Sequence, residues 1–213
     1  MSYYGSLSYQ PNARASINVG VYDTISGFGG QINNALVALP TDFQAIRNPI
    51  SGDLNGCVAS LEGGQCLGSV LNGLRSSTFR ARGVAGTMGV KLGRLQAGVG
   101  AGYDERKYIG ADGTVLESAD GRSDEQIWAA AYVTGQLSEN SGFGANVYAN
   151  WLDSGLNNAG KSTGYGASAS YYHNVTQHLS ATAAVSVDGV NSDDVTIDDT
   201  VTGAALLGMR YSF

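Results

Sequence analysis

Val201-Thr-Gly-Ala-Ala-Leu-Leu-Gly-Met-Arg-Tyr-Ser-Phe213 closes the chain. Read at period two, Val201, Gly203, Ala205, Leu207, Met209, Tyr211 and Phe213 fall on one face, with Thr202, Ala204, Leu206, Gly208, Arg210 and Ser212 on the other. This predicts a β-strand, apolar on one side and small or polar on the other. It is longer than the usual globular strand of about 5–6 residues and ends on aromatic side chains.

Working outward, the same alternation recurs through most of the 213 residues. Tyr3 to Tyr9 and Ala13 to Tyr22 read as a hairpin turning at Pro11-Asn12. Further strands are predicted over 79–92, 95–104, 126–137, 143–151, 165–172 and 179–188, each with Val, Ala, Leu or aromatic residues at every second position. Connections near residues 12, 93, 140 and 177 are very short. Those over 25–76, 109–123, 153–162 and 189–200 are longer. In the strand over 79–92, Arg80 and Arg82 share parity with Val84, Met88 and Val90, and a β-bulge near Gly83 is the expected repair.

Composition supports an all-β membrane wall. There are 31 glycines, 3 prolines and only 14% charged residues, against about 25% charged in soluble domains. The mean hydropathy is -0.08, and no run approaches the roughly 18 apolar residues of a spanning helix. A barrel reconciles these facts, because alternate residues face lipid while the average stays neutral. A net charge of -6 argues against a nucleic-acid partner. Met1-Ser-Tyr-Tyr4 shows no basic region followed by an apolar core. A mature or recombinant piece, or the distal part of a longer precursor, is therefore expected.

The terminal strand resembles the closing strand of Gram-negative outer-membrane β-barrels. That resemblance implies that Met209, Tyr211 and Phe213 form the signal read by the barrel-insertion machinery. The Tyr22 to Phe43 stretch, the cysteine loop and Tyr103-Asp-Glu-Arg-Lys-Tyr108 are also similar to porin-like barrels associated with exopolysaccharide export loci. The expected architecture over residues 1–213 is one domain, a transmembrane antiparallel up-and-down β-barrel in the bacterial outer membrane. About nine or ten strands are legible, the tenth lying hidden around Leu54 to Leu61. A bacterial single-chain barrel has an even number. An odd count suggests a larger barrel completed by upstream strands from another segment, or a homo-oligomer.

The 25–76 stretch breaks the alternation. Gln31 to Leu39 has helical spacing and stops at Pro40, and Leu67 to Leu74 predicts a second short helix. Cys57 and Cys66 are expected to pair as a disulfide in an oxidising compartment. The loop then caps the barrel, enters its lumen or lies on the surface. The residues opposite the apolar set are mostly small, which leaves space inside a barrel of ordinary width.

No catalytic or cofactor constellation is legible. His173 and His178 sit beside a turn without a nucleophile motif. The glycines of Gly98 to Gly102 alternate within a strand and precede no helix. Asp188, Asp193, Asp194, Asp198 and Asp199 lack the spacing of a calcium loop, so no metal is expected. The chain is therefore read as not an enzyme. Arg80, Arg82 and Arg210 are candidates for lumen selectivity toward anionic solutes, or for pairing with lumen carboxylates such as Asp104 and Asp188. Arg106, Lys107 and Arg122 are placed at the outer rim, within reach of lipopolysaccharide phosphates. The leading function is a passive channel or export pore. The alternatives are a non-conducting structural or adhesion barrel and the translocator of a secreted passenger.

Overall fold

The computed structural model describes residues 2–26, 44–47, 54–59, 65–66, 78–110, 119–155, 160–193 and 199–211. Its main body is one antiparallel sheet of nine strands: β1 (Tyr3–Asn12), β2 (Ala15–Ser26), β6 (Phe79–Leu92), β7 (Leu95–Tyr108), β8 (Ser123–Ser138), β9 (Ser141–Ser154), β10 (Lys161–Asn174), β11 (Leu179–Ser192) and β12 (Thr200–Tyr211). Neighbours in the sheet are neighbours along the chain, apart from the insertion between β2 and β6. That insertion holds a separate three-stranded sheet, β3 (Gln44–Arg47), β4 (Leu54–Ala59) and β5 (Gln65–Cys66). The predicted helices at Gln31–Leu39 and Leu67–Leu74 lie outside the described residues.

The strands form where alternation is cleanest, and they turn where the chain supplies turn chemistry. Gly93 takes a φ of 65° between β6 and β7, a left-handed conformation open to glycine at little cost. The first hairpin turns two residues later than the sequence suggests. Pro11 is inside β1, an edge strand, where its missing N–H breaks no ladder. The turn is Ala13-Arg14, with the Asn12 side chain accepting a 2.8 Å bond from the Arg14 amide. Short turns all lie at one end of the sheet and longer connections at the other, as in outer-membrane barrels.

One face is exposed and apolar: Leu7, Val19, Val99, Ile127, Val147, Val185 and Leu207 all point there, Leu207 being 88% exposed. The opposite face holds the core. Trp128, Ala130 and Tyr132 form one buried cluster, joined by Ala85 and Tyr148. Phe79, Ala81, Tyr108 and Ala119 form another near the long-loop end, with Tyr22 packed against them.

Register resolves the expectation of empty space on this face. Large rings stand directly opposite glycines: Trp128 against Gly102, Tyr132 against Gly98, Tyr148 against Gly166 and Tyr172 against Gly142. A Cβ on Gly102 would stand 2.5 Å from Trp128 Nε1, and one on Gly98 2.5 Å from Tyr132 Cε1. The small residues are seats for their neighbours' rings, a cross-strand pairing that stabilises sheets. Small residues alone therefore do not imply a wide lumen.

Two further expectations are corrected. No bulge occurs near Gly83, since the β2–β6 and β6–β7 registers run through Tyr22, Gly83 and Asp104 without a shift. The shifts fall instead between Tyr9 and Asn12 and between Gln136 and Ser138. The strand over Leu54–Ala59 exists, but it pairs with β3 and β5 and adds nothing to the main sheet.

Candidate functional site

The exposed face is banded along the strands. One ladder row joins Tyr3, Asp23, Arg82, Glu105, Glu125, Asp153 and Lys161 as successive register partners across seven strands. The next row toward the short turns joins Val21, Val84, Tyr103, Ile127 and Trp151. Below it the face is apolar down to the row of Leu92, Leu95, Gly135, Phe143 and Tyr171. On β7 the apolar band therefore runs from Leu95 to Tyr103, roughly the 9–11 residues that cross a hydrocarbon core when tilted about 45°. Charge above, aromatics at the boundary and aliphatics below match a barrel wall at its outer interface.

This banding corrects the lumen assignment of Arg80 and Arg82. Both stand on the exposed face above the apolar band, where a carboxylate row meets them. Arg80 Nε lies 2.6 Å and Nη2 2.8 Å from the Asp23 carboxylate oxygens, a bidentate pair. Arg82 Nε is 3.6 Å from Glu105, and Lys161 Nζ is 3.2 Å from Asp153. No phase shift is needed, because these arginines lie beyond the hydrocarbon-facing part of the strand. The Arg82–Glu105 and Lys161–Asp153 pairs are solvent-accessible and contribute about 0–1 kcal/mol each, whereas the Asp23 carboxylate is buried; the consequence of all three is to mark the boundary. Lys107 falls on the same face one row further out, opposite Arg80.

The buried face at the long-loop end carries a polar network. Asp124, among the most deeply buried side chains, accepts a hydrogen bond from Tyr108 Oη, a 2.8 Å bond from Ser154 Oγ and a 3.2 Å bond from the Gly155 amide. Arg106 donates to Gln126 Oε1 at 3.1 Å, and its guanidinium lies 5.9 Å from the centre of the Phe79 ring. Phe79 meets Tyr108 edge-on at 6.4 Å. Arg106 thus belongs to the buried wall and not to the lipid-facing rim. Asp104 is buried one step along the same face, and its Oδ2 has no hydrogen-bond partner among the described residues. Further along, Tyr148 Oη donates to Asp188 at 2.9 Å, and Asn146 donates to Ser168 at 3.0 Å. Arg210, opposite Ser180, lies on this face at the short-turn end.

The remaining predicted residues are dispersed. Met209 and Tyr211 project from the exposed face of β12, 73% and 59% exposed, while Phe213 lies outside the described residues. His178 stacks loosely on Tyr211, ring centres 6.1 Å apart, and no catalytic partner set gathers around His173 or His178 among the described residues. Asp188 is on the buried face, separated from Asp193 and Asp199 at the loop, and Asp194 and Asp198 fall outside the described residues. Cys57 and Cys66 are direct register partners of the antiparallel β4–β5 pair. Such partners have Cα atoms about 4.5–5.5 Å apart, within the span that a disulfide bridges.

What the sequence reading missed is the Asp124 network, since Asp124 falls at a loop boundary by composition. Its one signal is parity with Gln126, Trp128 and Tyr132. The alignment with Arg106 and Ser154 depends on register, which no single strand displays.

No protein-family model matches the chain, and no curated protein matches it. Among solved structures it is similar to OmpTdeltaL8, the loop L8 deletion mutant of OmpT, an outer membrane protein of Vibrio cholerae, at a TM-score of 0.51 and 8% identity. The likeness covers 97% of this chain and 51% of that one, so the chain spans about half the length of that protein. At this identity the likeness shows the fold alone: nine antiparallel up-and-down strands of the outer-membrane barrel type. The expectation that the chain is not an enzyme is corrected by the same finding. A match to an outer membrane protein on fold alone leaves catalysis open, because a fold does not fix the chemistry grafted on it.

Proposed function

We propose that the chain forms the wall of a passive channel for polar solutes, narrowed by the insertion between β2 and β6. The carrying observation is the placement of the small sheet. The backbone of β4 comes within 8 Å of β8 and β9, and that of β5 within 8 Å of β6 and β7. The most continuous buried run in the main sheet lies on one of these strands, Asp124, Gln126, Trp128, Ala130 and Tyr132 of β8. A loop folded over this face narrows the space it encloses, and a Cys57–Cys66 disulfide would hold its β4–β5 pair in place.

The charge lining this face is mainly acidic toward the long-loop end, with Asp104, Asp124 and Asp188 set against Arg106. Of the arginines that would favour anions, Arg80 and Arg82 face the other way, and Arg210 lies on this face at the short-turn end. Inward carboxylates attract cations, so the reading is a weakly cation-preferring pore. Solute and lining are matched by field rather than by a shaped pocket.

Planar-bilayer recording of the refolded chain under a KCl gradient tests this, with folding verified by heat-modifiable gel mobility. Stable conductance with a cation-preferring reversal potential is expected, increasing when the cysteines are reduced. Silence of the folded protein in both redox states contradicts the channel reading and favours a structural or adhesion barrel.

A further inference from the structure

Among the described residues, two edges of the main sheet are open, and no ladder joins β1 to β12. Both strands are exposed on both faces, whereas β8 alternates between buried and exposed. In a hydrocarbon layer each unpaired backbone N–H or C=O costs several kcal/mol, and only closed sheets cross it. Something must cover these edges in the membrane.

Strand direction restricts what it is. In a sheet of nine consecutive antiparallel strands, the first and last run the same way, here from the long-loop end to the short-turn end. Joining β12 to β1 directly makes a parallel seam. A second copy that keeps its long loops on the same side of the membrane must be related by an axis along the membrane normal. That places β12 beside the partner's β1, and both seams are parallel. Only a block with an odd number of strands, beginning and ending on strands that run from the short-turn end to the long-loop end, pairs antiparallel with both edges. Nine plus an odd number is also even, as in bacterial single-chain barrels.

We infer that β1 and β12 are the seams at which a separate block of transmembrane strands, odd in number, completes a wider barrel. The block is neither a second copy of this sheet nor the sheet closing on itself. The structural match agrees in size, since the chain spans 51% of a longer outer-membrane chain. The block's strands would alternate apolar residues beside Leu7, Tyr9 and Leu207 with small polar residues beside Ser6, Ser8 and Thr202. This rests on the sheet topology and the membrane location, and it stands whether or not the pore conducts.

The test varies strand parity. A copy of residues 179–199, β11 with its following loop, is fused ahead of β1. Parallel versions carry residues 161–199, adding two strands, and 141–199, adding three. Each is refolded in detergent micelles beside the unextended chain, and amide hydrogen exchange in β12 is measured with the mass in solution. The expected result is slowing of β12 exchange by roughly 100-fold or more in a one-strand or three-strand version, as amides pass from an open edge into a ladder. The two-strand version and the unextended chain should keep a fast-exchanging β12. Protection of β12 in the unextended chain overturns the proposal, as self-closure if the species is monomeric and as pairing of copies if it is dimeric. Equal protection by odd and even additions, or none by either odd addition, overturns it as well.

Discussion

Asp124 is the side chain on which the long-loop end of β8 depends. Its burial is offset by the hydrogen bonds that Tyr108, Ser154 and the Gly155 amide donate to it. Replacing it by alanine removes the acceptor that these three donors share. Bonds to a buried charged acceptor are worth about 1.5–3 kcal/mol each, less whatever water restores. Asp124→Ala is therefore expected to destabilise the folded chain by about 3 kcal/mol in urea unfolding from detergent micelles. Asp153→Ala, whose carboxylate pairs with Lys161 on the exposed rim, should cost less than about 1 kcal/mol. Equal effects would contradict the assignment of the two faces. Nothing in the sequence separates these two aspartates by type; only strand parity and cross-strand register do.

At the scale of the element, each strand is a depth gauge. Period-two alternation was legible in all nine strands because one face must stay apolar across the hydrocarbon-facing band, and a one-residue slip would invert it. The position of Arg80 and Arg82 was not. A strand read in isolation has a phase but no depth, so the pair looked misplaced by parity when it lies past the band's upper edge. The Asp23 and Glu105 partners that mark that edge come from other strands. On β7, Val99 sits halfway between Tyr103 and Leu95. Val99→Arg is expected to cost about 2–4 kcal/mol of folding stability in lipid vesicles, and Tyr103→Arg at the band's edge about 0–1. A flat profile along β7 would contradict the band.

At the scale of the whole molecule, the short-turn and long-loop asymmetry, the strand count and the outer-membrane class were readable because turn chemistry and alternation are local. The wall's thickness on its buried face was not readable. The small residues opposite the apolar set suggested space, yet at Gly98 and Gly102 Tyr132 and Trp128 fill it from the adjacent strand. Nor did composition reveal that Leu54–Ala59 joins a separate sheet, since a strand's partner is a long-range property. The central claim is that, within the apolar band, odd-numbered positions of β7–β12 face lipid and even-numbered ones face inward. The chain's two tryptophans sit on opposite sides of that division: Trp151 is 45% exposed at the outer aromatic row, and Trp128 is 2% exposed. The direct test is fluorescence of the single-tryptophan variants Trp128→Phe and Trp151→Phe in vesicles whose acyl chains carry bromine at graded depths. The account predicts strong quenching of Trp151 by bromine near the headgroups and little quenching of Trp128 at any depth; comparable quenching of both, or quenching of Trp128 alone, would contradict it.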